Sequence, residues 1–288
     1  MTAKLSEGVY PSLSIEDYHK DDLAVSKTRL TLMDKAPALF LHARTSEDQK
    51  SESKSLKIGR AFHAMLDKSF DHSFLIGPDV ATRADKAWKA FEAQNPEKTI
   101  LKPSEYAEAA AMAGMILSKP EFGEVLGGEG CFEQTYVWRD FDTNLLCKCR
   151  PDFITADNLT VVDFKSAVDA SHYAFQFAAW KYHYYVSAAF TFEGVHASTG
   201  VMPTRYLFFV VQSSAPYLVA GYEVTAEELS EGREFLRRNL GRLKECYETG
   251  DWPGLPSDIR PLGLPSFRVK KDTSAAEEAM EKALSWVD

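Results

Sequence analysis

Apolar residues recur at helical spacing through the first half of the chain and in short β-favouring runs through much of the second. Ser26 reads as an N-cap opening a helix that carries Leu30, Met33, Leu39 and Phe40, and Pro37 is expected to break or kink it. Ile58, Phe62, Met65 and Leu66 share one face of a second short helix. Residues 80 to 118 read as two more helices, the latter alanine-rich from Ala107 to Met115 with Pro103 near its start. The texture changes after Gly127-Gly128. Residues 133–138, 145–150, 153–155 and 159–164 form short β-favouring runs separated by the turn formers Asp142-Thr143-Asn144 and Ala156-Asp157-Asn158, an antiparallel meander. An aromatic-rich helix is expected from about 170 to 188, then strands near 206–212 and 217–223. Thr225-Ala226-Glu227-Glu228 is a capping box for a last long helix to about 248.

Helices, then strands, then a helix crossing to further strands describe an α/β protein: a central mixed sheet with helices on both faces, the meander within it. There is no internal repeat and no Gly/Ser linker, so one domain is expected over residues 1–270. Its helical part is 1–126 and its sheet-bearing core 127–250, with an acidic tail at 271–288. The 45% hydrophobic and 26% charged fractions exclude a disordered or low-complexity chain. No stretch approaches the roughly 20 apolar residues of a membrane span, and the first residues lack a signal peptide's apolar core, so a cytoplasmic protein is expected. Cys131, Cys147, Cys149 and Cys246 are too scattered for a disulfide framework. Cys147-Lys148-Cys149 lacks the usual zinc spacing and reads as two thiols on one face of a buried strand. The net charge of −9 argues against a general nucleic-acid coat protein, though a nuclease needs basic residues only along its groove.

The segment with chemistry in it is Arg150-Pro151-Asp152 followed by Val161-Val162-Asp163-Phe164-Lys165. A turn at 156–159 puts Asp152 and Asp163 on partner strands. The side-chain period of two sends Asp163 and Lys165 to one side and Val162 and Phe164 into the core. Two carboxylates beside an ammonium suit a hard divalent ion and a phosphodiester. Lys165 then orients or deprotonates water, or stabilises charge on the phosphate. By spacing alone such residues are more often solvated salt bridges. The apolar setting of Leu159, Val161, Val162 and Phe164 favours a functional role.

With these residues the sequence resembles the PD-(D/E)xK nuclease superfamily, and within it the phage-type RecE (exodeoxyribonuclease VIII) nuclease domain, over roughly residues 9–268. The resemblance rests on Leu13-Ser14-Ile15-Glu16-Asp17-Tyr18-His19, Ser26-Lys27, Pro37-Ala38, Gly59-Arg60-Ala61-Phe62-His63, Arg150-Pro151-Asp152-Phe153, Val162-Asp163-Phe164-Lys165 and Gln176. It implies a restriction-endonuclease-like core and a divalent-metal-dependent DNA exonuclease acting on duplex ends, 5′ to 3′, in phage-type recombination. It further implies Mg²⁺ or Mn²⁺ as cofactor, a ring-like homo-oligomer on double-stranded DNA, and a single-strand annealing protein as partner. An endonuclease, or an inert DNA-binding or assembly protein, is the alternative. His63, on residues alone a core histidine, becomes by resemblance a metal ligand with Asp152, Asp163 and the backbone carbonyl of Phe164. Glu133 is either a further carboxylate at the metal or a solvated strand end.

The next helix carries Tyr173, Gln176, Trp180, His183 and Tyr184. RecE-like and RecB-like nucleases tend to have a glutamine and, four residues on, a tyrosine here. Trp180 stands in the tyrosine position, so only Gln176 carries over; stacking of Trp180 on a base or sugar stays open beside a core role. Arg60, Lys148 and Arg150, with Lys57, are candidates for the DNA path or ordinary surface. The order of the cysteines argues against the iron-sulfur cluster of some relatives.

Overall fold

The structure, a computed structural model, describes residues 5–21, 23–45 and 53–262. In chain order, β1 (Gly8–Tyr10) and α1 (Ile15–Lys20) precede α2 (Lys27–Lys35), α3 (Pro37–Thr45), α4 (Lys54–Leu66) and α5 (Phe70–Ser73). Then come β2 (Phe74–Ile76), α6 (Lys86–Gln94), β3 (Thr99–Leu101), α7 (Pro103–Leu117), α8 (Pro120–Gly127), β4 (Gly130–Phe132), β5 (Thr135–Arg139) and β6 (Leu146–Cys149). The rest is β7 (Phe153–Thr155), β8 (Thr160–Ala167), α9 (His172–Lys181), α10 (Tyr184–Thr199), β9 (Arg205–Gln212), β10 (Val219–Glu223) and α11 (Ala226–Thr249).

Local chemistry sets several boundaries as the sequence indicates. The Ser26 hydroxyl accepts from the Arg29 N–H at 3.5 Å, and the helix it opens stops at Ala36, whose extended backbone suits the residue before a proline. Thr225 and Glu228 form the reciprocal capping box of α11.

The central sheet is mixed, with strand order β10-β9-β8-β7-β4. β8 and β9 are parallel over eight residue pairs, from Thr160↔Arg205 to Ala167↔Gln212, so the chain must cross over between them, and α9 with α10 makes that crossover. Alternation along β8 separates two cores. Val162 and Phe164 pack with Phe62, Met112 and Phe209 beneath α4 and α7. Val161 faces Tyr206, Phe190 and Leu236 beneath α10 and α11.

Three features depart from the sequence expectation. The antiparallel run is present, but it divides between Cys149 and Phe153: β5 and β6 join β1 in a separate three-stranded sheet, while β7 and β8 belong to the central one. Pro151, which lacks an N–H, lies in this break. The helix expected over 170–188 is two helices, the second reaching Thr199, with His183 between them in the left-handed region at φ 55°. Short elements such as β4 and the parallel pair β2 and β3 were not anticipated.

Cys147 and Cys149 are free thiols, both buried in the core under α10. Gly194 permits that packing, because a Cβ there would meet the Trp138 ring at 2.5 Å. Lys148 points the other way and is 3% exposed. Its ammonium donates to the carbonyls of Tyr18 (2.5 Å) and Asp21 (2.6 Å) and to the Asp21 carboxylate (3.1 Å), fastening the end of α1 to β6. Replacing Lys148 by alanine leaves a buried carboxylate without its cation, and a loss of about 3–5 kcal/mol of stability is expected, read by denaturant unfolding. A change under about 1 kcal/mol would contradict that role.

The compact unit ends at Gly254, and a second begins at Leu255. The described part of the latter, to residue 262, has no regular element. The tail expected at 271–288 lies outside the described residues. Among the described residues no helix is long and apolar enough to cross a membrane.

Candidate active site

The break between the two sheets is where the polar residues gather. β7 begins at Phe153, paired with Val162, so β8 runs past it and, among the described residues, its backbone from Asp163 onward has no strand partner on that side. Asp152 takes the place of one. Its Oδ2 accepts the Phe164 N–H at 2.6 Å, and its Oδ1 lies 3.3 Å from His63 Nδ1 on α4. Burial alone would raise the Asp152 pKa, but His63, Lys165 and the Phe164 N–H hold it down at about 2. His63 shows the reciprocal effect: burial opposes its charge, and Asp152 outweighs burial and lifts it above its ordinary value.

Glu133 arrives from the link between β4 and β5. Its backbone sits in the left-handed region at φ 53°, a conformation that costs a non-glycine residue about 1 kcal/mol or more. Its N–H donates to the Asp152 carbonyl at 3.0 Å, and its carboxylate accepts from Arg150 Nε at 2.5 Å. Burial, and then the charge of Asp152, push Glu133 up. One ligand atom from each of His63, Glu133 and Asp152 lies within 4.8 Å of the other two. An imidazole and two carboxylates in this arrangement could hold a divalent cation.

Asp163 and Lys165 project from β8 to the α10 side. The Lys165 ammonium donates to Asp163 Oδ1, lies 3.4 Å from the Phe164 carbonyl, and sits 5.2 Å from the centroid of the Tyr184 ring. Tyr206, on β9, donates its hydroxyl to Asp163 Oδ2 at 2.9 Å. Burial and the neighbouring Asp152 raise Asp163 despite Lys165. For Lys165, burial opposes the charge, and the two carboxylates overcome it and lift the amine above its ordinary value. Asp163 is thus engaged with Lys165 and Tyr206 and is not one of the three grouped ligands. Its charge is nevertheless felt at Asp152 and His63.

Asp152, Asp163 and Lys165 line a cleft of about 290 Å³ together with Lys27, Arg150 and Tyr184, while His63 and Glu133 stand behind it through Asp152. Lys27, the first residue of α2, donates to the Tyr182 carbonyl at 2.7 Å, and burial followed by the nearby Lys165 lowers its pKa to about 8.

The structure therefore brings together His63, Glu133, Arg150, Asp152, Asp163, Phe164 and Lys165. Arg150 is bound to Glu133 and to the Leu13 carbonyl at 2.7 Å. Lys148 borders the cleft, but its charge is matched by Asp21 inside the fold. Arg60 is exposed on α4 with its guanidinium 5.5 Å from the Phe74 ring centroid, and Lys57 is half-buried on the same helix. Gln176 and Trp180 are exposed on α9. Tyr184 and Tyr206 were not singled out as site residues. Tyr206 gave no signal, being one residue of an apolar strand, and Lys27 entered only as part of a motif.

No curated protein matches the sequence. Among solved structures, a proposed exonuclease from Eubacterium rectale is similar at 15% identity and a TM-score of 0.64, covering 88% of this chain and 96% of its own. At that identity the likeness shows the fold. An alkaline exonuclease from Laribacter hongkongensis is 14% identical over 60% of this chain and 89% of its own, with a TM-score of 0.26. The model of the family described as PDDEXK-like domain of unknown function (DUF3799) matches residues 26–259, a span holding every grouped side chain above, and the chain belongs to that family.

Proposed function

We propose that the protein is a divalent-metal-dependent deoxyribonuclease that degrades duplex DNA from its ends, 5′ to 3′. The observation that carries this reading is that Asp152, grouped with His63 and Glu133, lines one cleft with the Asp163 and Lys165 pair. Family membership, and a fold shared with a proposed exonuclease, support it.

Asp152, Glu133 and His63, with Asp163 and the Phe164 carbonyl alongside, would hold Mg²⁺ or Mn²⁺, which when bound supplies Lewis acidity at the phosphate and eases deprotonation of water. The protein's own groups do the rest. Lys165, whose amine already donates to Asp163 and lies beside the Phe164 carbonyl, acts as a hydrogen-bond donor to the charge developing on the scissile phosphate rather than as a base. Tyr206 fixes the rotamer of Asp163, and the Phe164 N–H fixes that of Asp152. Lys27 and Arg150 line the route of the strand, in a protein whose net charge otherwise repels DNA. Gln176 contacts the substrate from α9. A ring-like homo-oligomer, a single-strand annealing partner and a place in phage-type recombination belong to the same reading.

Linear duplex labelled at the 5′ or the 3′ end, with a closed circle beside it, tests the proposal. With magnesium, 5′ label is expected to be released first and the circle to stay intact. Early loss of 3′ label, or linearisation of the circle, would overturn the end polarity or the exonuclease assignment respectively.

A further inference from the structure

The α9 helix turns an aromatic face to solvent. Tyr173, Gln176, Phe177 and Trp180 stand at spacings of three, four and seven, one face of a helix. Tyr173 is 84% exposed, Phe177 55% and Trp180 63%, while Phe175 on the opposite face is buried against Phe208 and Tyr222. Phe177 and Trp180 lie side by side with ring centroids 5.7 Å apart. Isolated exposed aromatics need no explanation; three on one helix face do.

Two observations say what covers this face. It continues into the cleft: just beyond Trp180, the half-exposed Tyr182 stacks on Tyr184 at 5.9 Å, and the Tyr184 ring lies beneath Lys165 and Lys27, 5.2 and 5.8 Å from its centroid. Its charge also differs from that of the chain. Acidic residues are about one in seven overall, yet residues 170–192 contain none and include Lys181, whose ammonium lies 5.3 Å from the Tyr182 ring centroid. A polyanion with flat apolar faces complements such a surface.

We propose that the Tyr173, Phe177 and Trp180 face binds unpaired DNA by base stacking and leads that strand to the cleft. Stacking on aromatic side chains tolerates any base, as a non-specific strand path requires. Paired bases are not offered to the face, so it discriminates a frayed or single-stranded segment from intact duplex. The inference rests on the nuclease reading for its biological sense, though its binding chemistry stands apart from cleavage.

The test is fluorescence anisotropy with labelled oligothymidylate and a labelled blunt duplex, in excess chelator, comparing the full chain with Phe177→Ala/Trp180→Ala and with Trp180→Phe. The double variant is expected to weaken oligothymidylate binding roughly 5- to 150-fold for each stacked base lost, with duplex binding changed by less than about twofold and Trp180→Phe close to the parent. Unchanged oligothymidylate binding in the double variant overturns the proposal. So does an equal loss for duplex. A third contrary result is a parent that sediments as an oligomer which the double variant dissolves, because the face would then lie between copies of the chain. A parent that binds oligothymidylate through this face but cuts no DNA with magnesium would sink the nuclease reading and leave the stacking face standing. A parent that cuts while the double variant binds unchanged would do the reverse.

Discussion

Asp163→Asn and Lys165→Ala, made separately, are each expected to reduce DNA hydrolysis by about 10³-fold or more while the protein stays folded. The scale is that of removing one preorganised electrostatic contact from a reacting centre, which typically costs 10²–10³, compounded by the loss of its partner's position. Both effects act through one short ion pair. Asparagine keeps the shape of Asp163 and still accepts from the Tyr206 hydroxyl, and Lys165 then retains the charge of Asp152 and the Tyr184 ring. Lys165→Ala leaves Asp163 with Tyr206 alone, in a cleft where water can reach it. Thermal melts should therefore shift little beside the loss of rate, the opposite of Lys148→Ala, whose carboxylate partner is sealed inside the protein. Full activity in either variant would remove Asp163 and Lys165 from the mechanism.

Removal of divalent metal is the second large effect. Excess chelator is expected to stop hydrolysis, added Mg²⁺ or Mn²⁺ to restore it, and Ca²⁺ to support binding without turnover, since its looser coordination suits holding more than reacting. His63→Ala and Glu133→Gln should each raise the metal concentration needed for half-maximal rate. The shift should reach at least the roughly 10- to 100-fold typical of losing an outer-shell partner, because in the proposed site these residues are ligands themselves. Calorimetric titration of the protein with Mn²⁺ gives the same comparison without DNA. Robust cutting in chelator, or unaltered metal dependence in both variants, would contradict the assignment.

Much of this molecule is legible in local sequence because local physics decides it. The Ser26 cap, the halt before Pro37, the Thr225 capping box and the inside-outside alternation of β8 each depend on a few adjacent residues. Asp152, Asp163 and Lys165 could be found for the same reason. What was hidden depends on partners distant in sequence. β4 is three residues long and exists through its pairing with β7, where Gly130 alone lets the chain lie against the Phe153 ring. That pairing, with the turn at Glu133, brings a carboxylate beside Asp152, whereas sequence alone leaves residue 133 open between a further carboxylate at the metal and a solvated strand end. The division of the strands between two sheets is likewise set by which edge each hairpin finds. The aromatic residues after the motif resembled a buried stripe, because sequence does not tell whether a helix face has a neighbour. Here Phe175 packs on Tyr222, while Tyr173 and Trp180 are exposed among the described residues.

The eight matched pairs between β8 and β9 leave little freedom in how this centre can change over evolutionary time. Deleting a single residue upstream within β8 would rotate everything after it by half a pleat, driving the acid and the amine among phenylalanines and presenting phenyl and isopropyl groups to DNA. A substitution at 163 or 165 leaves this register intact whatever it does to the rate, whereas gains and losses of length are confined to places such as the turn around Phe141, where the polypeptide already meets water.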